Sequence, residues 1–442
     1  MNIKKILIFL FFINSCVLFS QETVYAYARK VVDTMASASM HGRGYVNEGD
    51  KIAANYIKNE FEKFGLKNFT ENYYQHFNFN INTFPGKIEF KIENYVEHDK
   101  NSFTTNNLIF KGNLAKNYLI NASSTLWQNV FKIEIFDSTY ASKKGLKKFS
   151  KKQYLGLSYI LIDDRNVKNK TQLEYFKLVK KNYFNSSGKI ILVDKLTWSQ
   201  SQTFQQPTIE ILKDSFNIRE TKLAGSLEGK NKFIPNYQSQ NVIGYVEGSV
   251  YPDSFIVFSA HYDHLGQLGE EVYFPGANDN ASGCAMLLNL AKHYSLPENK
   301  SKYSIAFIAF SAEEVGLLGS KHFTENPLFP LNKIKFVFNM DIMGTGEDGI
   351  TVVNGTEYKK EFEKLKEINT THNFIKDVKM RGKAANSDHY YFSEKGVKSF
   401  FIYTMGGIKA YHDIYDKAET LPLNEFENLF HLITAFATYL QE

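Results

Sequence analysis

Five short polar islands hold the residues of this chain that could do chemistry. His261-Tyr-Asp-His-Leu-Gly266 offers two imidazoles and a carboxylate, and Gly276-Ala-Asn-Asp-Asn-Ala-Ser-Gly283 offers Asp279. Ser311-Ala-Glu-Glu-Val-Gly316 offers Glu313 and Glu314, Asn339-Met-Asp-Ile342 offers Asp341, and Tyr411-His-Asp-Ile-Tyr-Asp416 offers His412. Zinc takes imidazole nitrogen, carboxylate oxygen or thiolate, is usually four-coordinate, and keeps a position open where it is catalytic. Thiolate is scarce, since the chain has only Cys16 and Cys284. The set that remains is His261, Asp279, Glu314, Asp341 and His412. Five ligands are too many for one open site and suit two metals that share a bridging carboxylate. Two metals about 3.5–4 Å apart can bridge a water, lower its pKa and polarise a substrate carbonyl. A carboxylate outside the ligand set must then move the proton. Glu313 is the candidate, because neighbours in an extended or turn segment point in different directions. Metal-bound imidazoles usually donate their other N–H to an acceptor. Asp263 is the better candidate for that role, beside His261, and Asp416 is the second, beyond His412.

Each island needs a rigid support, and the residues before it supply one. Runs 255–260, 304–310 and 334–340 are apolar and end at or just before His261, Glu313 and Asp341, while 400–403 lies upstream of His412. Apolar runs of this length, spaced by helical segments, read as buried parallel strands. In an open α/β sheet, reactive groups sit just beyond the carboxyl ends of the strands. The expected fold is therefore α/β, with a mostly parallel central sheet flanked by helices. Helices are expected over 23–36, 50–64, 281–294, 358–368 and 425–440. In the second of these, Ile52, Ala53, Tyr56, Ile57, Phe61 and Phe64 make an apolar stripe, and Gly65 follows as a cap. Residues 73–96 alternate and read as one or two strands.

Residues 97–235 are denser in Asn, Lys, Ser and Thr and carry no histidine–carboxylate cluster. Strand-like runs at 159–163 and 188–194, with a short helix near 173–180, mark an inserted small domain, α+β or β-rich. Its lysines at 143–152 read as a solvated face. The expected division is 1–20 as a leader, 21–96 and 236–442 as the domain that bears the islands, and 97–235 as the insert.

Composition narrows the remaining choices. The chain has 442 residues, 43% of them hydrophobic, which fits two or three folded domains rather than a disordered chain. A formal charge of +5 is too weak to point to nucleic acid as a partner. Lys4 and Lys5 precede an apolar run from residue 6 to 13, the layout of a secretory signal. Asn14 and Ser15 interrupt the run, which is too short for a stable membrane span. Export with cleavage near Ser20 is the expectation, and lipidation of Cys16 within Ile13-Asn-Ser-Cys16 ranks second. Cys284 would then be alone, unable to form an internal disulfide, and reads as a small buried residue on a helix.

In their order along the chain, the islands resemble those of the bacterial di-zinc leucyl aminopeptidases, the family that also holds glutaminyl cyclases and the transferrin-receptor ectodomain. The matching segments are the five above together with Ser387-Asp-His389 and the early Met40-His-Gly-Arg-Gly44. The likeness covers roughly residues 23–95 and 236–442. It implies a zinc-exopeptidase fold, one zinc on His261 and Asp341, a second on Glu314 and His412, Asp279 bridging them, and Glu313 as the base. It also implies a secreted aminopeptidase acting on peptides with a free N-terminus. The insert stands where many members carry a protease-associated domain, and Gly188-Lys-Ile-Ile-Leu-Val-Asp194 and Gln206-Pro-Thr-Ile209 look similar to parts of one. The family often has a proline within His-x-Pro-x-Asp, where this chain has Ile414, so the role of Asp416 stays open. The alternative within the family is a glutaminyl cyclase-like acyltransferase with one zinc on Asp279, Glu314 and His412. A non-enzymatic binding module is a third reading, but such relatives lose ligands that this chain keeps. His264 is expected to pack or hydrogen-bond, and Gly406-Gly407 to form a loop at the pocket rim. Ser387, Asp388 and His389 stand between supporting a ligand and forming a turn.

Overall fold

Four parallel strands form the middle of the larger sheet, in the spatial order Tyr303–Phe310, Tyr251–His261, Ile334–Met340, Ser399–Thr404. Their register aligns His261 with Phe310, Ser259 with Asn339 and Met340 with Ile402, so the strands end at nearly one level. The continuous apolar runs are explained by cover on both faces. Ile256, Phe258, Phe307 and Phe338 pack into the cluster that contains Val32, Ile57, Leu287 and Phe436. These belong to helices Val24–Met35, Gly49–Lys63, Gly283–Ser295 and Phe426–Tyr439. Val257, Ile308 and Val337 face the other way, onto Phe323 and Phe392 of helices Leu318–Glu325 and His389–Glu394. Each buried phenylalanine of this ladder stabilises the fold by about 1.5–3 kcal/mol. Antiparallel strands flank this middle on both sides: Lys232–Val246 beside Tyr303–Phe310, and Ile350–Val353 beside Ser399–Thr404.

The structure is a computed structural model that describes residues 22–99, 102–152, 155–217 and 222–442. The leader at 1–20 and the lipidation site at Cys16 lie outside the described residues. Among the described residues no helix is long and apolar enough to cross a membrane. Of the stripe in Gly49–Lys63, Ala53, Ile57 and Phe61 are buried, but Ile52 is 38% exposed, at the edge of the packed face.

A second sheet of eight strands contains Asn129–Phe136, Tyr159–Ile162, Gly188–Val193 and Thr208–Leu212 as a parallel run, with helices Lys143–Phe149 and Lys170–Lys180. The lysines of the first helix are exposed while Leu146 and Phe149 turn inward. The sheets change over at points other than 97 and 235. Glu89–Glu97 already pairs with Leu223–Glu228 in the second sheet, and Lys232–Val246 runs in the first, paired with Tyr74–Thr83. Alternation in sequence reveals a strand and its buried face but not its neighbour. The core of the second sheet also takes in Phe84, Leu265, Leu268 and Phe274, so it continues up to the loop after His261.

Candidate metal centre

The carboxyl ends of the central strands deliver the side chains to one place. His261 is the last residue of its strand, Asp341 follows Ile334–Met340 directly, and Glu313 and Glu314 lie just past Tyr303–Phe310. Asp279 sits in the irregular turn Ala277–Ser282 that opens helix Gly283–Ser295. His412 comes from the loop after Ser399–Thr404. One oxygen of Asp279 lies 3.4 Å from Nε2 of His261, and the other 3.2 Å from Nε2 of His412. Asp341 Oδ1 is 3.4 Å from the first imidazole, and Glu314 Oε2 is 3.2 Å from the second. The result is two nests, His261 with Asp341 and His412 with Glu314, joined through the two oxygens of Asp279. Glu313 stands against the first nest, where it, His261 and Asp341 bring ligand atoms within 4.8 Å of one another.

The surroundings orient each of these groups. His261 Nδ1 donates to the Asp263 carbonyl at 3.1 Å, and His412 Nδ1 donates to the Trp198 carbonyl at 3.1 Å. Both rings thus turn an Nε2 lone pair into the centre. Asp341 accepts from Ser387 Oγ at 3.3 Å, and Glu314 accepts from His264 Nδ1 at 2.8 Å. Asp416 accepts the backbone N–H groups of Asn278 and Asp279 at 2.9 and 3.0 Å, which answers the question left by Ile414. Asp263 acts differently from the sequence expectation. Its carboxylate is 3.7 Å from His261 Nδ1 and instead accepts the amides of Glu313 and Glu314 at 3.1 and 3.3 Å and the Tyr45 hydroxyl at 3.2 Å. The carboxylate holds the Glu313–Glu314 turn, while its own main chain serves the histidine.

Charge in the centre is unbalanced in a way a cation would correct. Burial disfavours charge on His412, but the carboxylates of Glu314 and Asp279 outweigh it and hold the imidazole up to about 11. Burial and Asp279 act to raise Glu314, yet His412 and His264 pull it down to about 2. Glu313 is held well above the usual carboxylate range, first by burial and then by Asp388, Glu314 and Asp341, against the opposing pull of His261. Nε2 of His261 and Oδ1 of Asp341 are buried with no hydrogen-bond partner. Buried polar atoms are rarely left so. A divalent cation beside them would satisfy both atoms and replace the proton the imidazole would otherwise carry. The donor set, imidazole nitrogen and carboxylate oxygen, fits zinc.

The backbone around the ligands is held in a sparsely populated region. Ala312, Ile342 and His412 have φ of 57°, 56° and 53°. Such non-glycine residues cost on the order of 1–3 kcal/mol each and cluster where function over-determines the fold.

Three contributors escaped the sequence reading. Arg43 is fully buried and donates to the carbonyls of Met35, Tyr262, Pro275, Gly276 and Asp279 at 2.7–3.3 Å. It ties the loop after His261 to the turn that holds Asp279. Its segment Met40-His-Gly-Arg-Gly44 was part of the resemblance without a role for the arginine, and its flanking glycines mark a close approach: a Cβ on Gly44 would lie 2.4 Å from Gly266 Cα. Arg43→Met should destabilise the protein by about 3 kcal/mol or more, since it strands several buried carbonyls. A urea melt that leaves the midpoint unchanged would refute that role. Tyr45 and Trp198 are the others, and nothing in their sequence surroundings announces them. His389 lies away from the ligands, its ring against Phe401.

Residues 241–437 match peptidase family M28. Aminopeptidase YwaD of Bacillus subtilis is 31% identical over 216 residues, covering 47% of this chain and 46% of that protein. The chain spans less than half the length of the curated relatives it matches. A zinc aminopeptidase from Bacillus subtilis shares the fold with a TM-score of 0.66 and 20% identity over 95% of each chain. An aminopeptidase from Aneurinibacillus sp. strain AM-1 does so with a TM-score of 0.61 and 18% identity, over 95% of this chain and 94% of that one. The stretch that matches this family, residues 241–437, holds all five candidate ligands.

Proposed function

We propose that this chain is an exported, zinc-dependent aminopeptidase that binds two zinc ions and removes the N-terminal residue of peptides. The observation that carries the reading is Asp279, whose two oxygens face two separate imidazole–carboxylate nests. The names of Aminopeptidase YwaD and of the zinc aminopeptidase that shares the fold support it. The leader-like residues 1–20 support export.

The roles follow from position. His261 and Asp341 would hold one zinc, His412 and Glu314 the other, and Asp279 would bridge them. Bound there, zinc would supply Lewis acidity toward the substrate carbonyl, a lowered pKa for water and a contact for the free amine. Glu313 would take the proton from the attacking water and deliver it to the departing amine. Asp263 would keep Glu313 and Glu314 in place through their amides. A cavity of about 150 Å³ opens beside Asp279, lined by Ile342, Thr345, Thr404, Ile408 and Tyr411 among others. Its lining also includes Asn278 and Lys409, so polar and apolar groups both face a side chain of modest size.

A panel of aminoacyl anilides tests this. Leucyl substrate with a free amine should be cleaved at least roughly a hundredfold faster than its N-acetyl form, because the amine contact orients the carbonyl. Chelation should abolish cleavage and zinc should restore it. Equal cleavage of blocked and free substrates would end the aminopeptidase reading, and indifference to chelator would end the metal reading. Metal analysis should find two zinc ions per chain; a single tight one would point to the cyclase-like alternative.

A further inference from the structure

We propose that residues 195–202, which belong to the inserted domain, form a fixed wall of the metal centre, with Trp198 as a positioning residue for His412. The inference rests on the metal reading above and adds a role for the insert. Trp198 and His412 are held by a reciprocal clamp. The Trp198 N–H donates to the His412 carbonyl at 2.9 Å, and His412 Nδ1 donates back to the Trp198 carbonyl at 3.1 Å. Among the described residues no other backbone group orients the His412 ring: its φ is 53°, it lies in a loop, and its ring otherwise meets Asp279, Glu314, the His264 ring and the flanking aromatic Tyr411. The clamp chooses the tautomer, so that Nε2 is left free to bind metal.

Trp198 is itself immobilised. It is 4% exposed, its indole N–H donates to the Ile120 carbonyl at 2.8 Å, and its ring stacks on Phe274 at 5.0 Å. Phe274 leads directly into the turn that carries Asp279, so one indole is braced between the insert core and the segment of the bridging ligand. The same arm reaches two further points. Lys195 Nζ meets Asp413 at 3.0 Å and the carbonyls of Lys409 and Tyr411 at 3.3 and 3.2 Å, and Gln202 donates to the Val315 carbonyl at 3.0 Å, just past Glu314. The second nest is therefore braced from both domains, whereas His261 takes its orienting hydrogen bond from Asp263 and Asp341 takes one from Ser387, both of the larger domain.

Zinc affinities measured against a chromophoric chelator test this directly. Trp198→Gly keeps the backbone atoms of the clamp but removes the indole that fixes them, so it should weaken the zinc on His412 by roughly 10–100-fold, the usual effect of disturbing the groups that orient a ligand, and the other zinc by less. Turnover should fall with kcat rather than KM. Trp198→Phe, which keeps the ring on Phe274, should recover most of the affinity. Lys195→Met removes no buried group and guards against misfolding; it should weaken the same zinc several-fold, a smaller effect suited to a half-exposed ion pair. Wild-type affinity at both sites in Trp198→Gly and Lys195→Met would overturn the proposal, provided His412→Ala loses one zinc. Retention of two zinc ions by His412→Ala would instead overturn the metal assignment beneath it.

Discussion

Glu313→Gln is expected to lower kcat by roughly 10²–10⁴-fold, the usual worth of a positioned proton carrier, with two zinc ions still bound. The glutamine keeps the shape of the side chain and both of its polar atoms but cannot accept the proton. The turn around it should not move, because Asp263 grips that turn through the amides of Glu313 and Glu314 rather than through their side chains. Neither histidine nest depends on Glu313, since each imidazole is faced by Asp279 and by Asp341 or Glu314. Zinc content, far-ultraviolet circular dichroism and KM should therefore stay near wild type while turnover collapses. Full turnover in this variant would remove Glu313 from the chemistry, and loss of zinc would make it a ligand instead.

Asp279→Asn should be more severe, because it empties both nests at once. An amide of the same shape presents an oxygen to one imidazole nest and an NH₂ group to the other. That group is a donor and repels a cation, so the bridge fails. Zinc content should drop toward zero, whereas His261→Ala or His412→Ala should each lose one ion. Stability should fall with it. A ligand at 1,000 times its dissociation constant stabilises the native state by about 4 kcal/mol, and a domain of this size shifts by roughly 2–4 °C in Tm for each kcal/mol. The variant should thus resemble the chelated wild type and show no further loss on chelation. Two zinc ions in Asp279→Asn, or a Tm that chelator still lowers by the wild-type amount, would contradict the bridging assignment.

Much of this centre was legible in the residues. The apolar runs before His261, Glu313 and Asp341 had to be buried strands, and strands buried on both faces are parallel ones covered by helices. Once they were parallel, their carboxyl ends had to gather. The observed register, with His261 level with Phe310 and Ser259 with Asn339, brings this about. At Gly49–Lys63 and Phe426–Tyr439 the helix boundaries followed from periodicity to within a residue, whereas the helix expected over 358–368 runs on to His372. The misjudgement of Ile52 belongs to the same logic, since periodicity marks a face but not where its edge meets solvent.

The sequence by itself determined the kinds of donor, their order, and the strand ends that present them, because hydrophobic period and local turn chemistry are properties of neighbouring residues. Only the tertiary structure decided which donors meet. Asp263 lends His261 its carbonyl rather than its carboxylate, Arg43 holds five carbonyls from three segments, and Trp198 reaches His412 from the other domain. Those contacts join groups up to 236 positions apart in the chain. They depend on how the two sheets dock, and no spacing pattern within a window of residues encodes that.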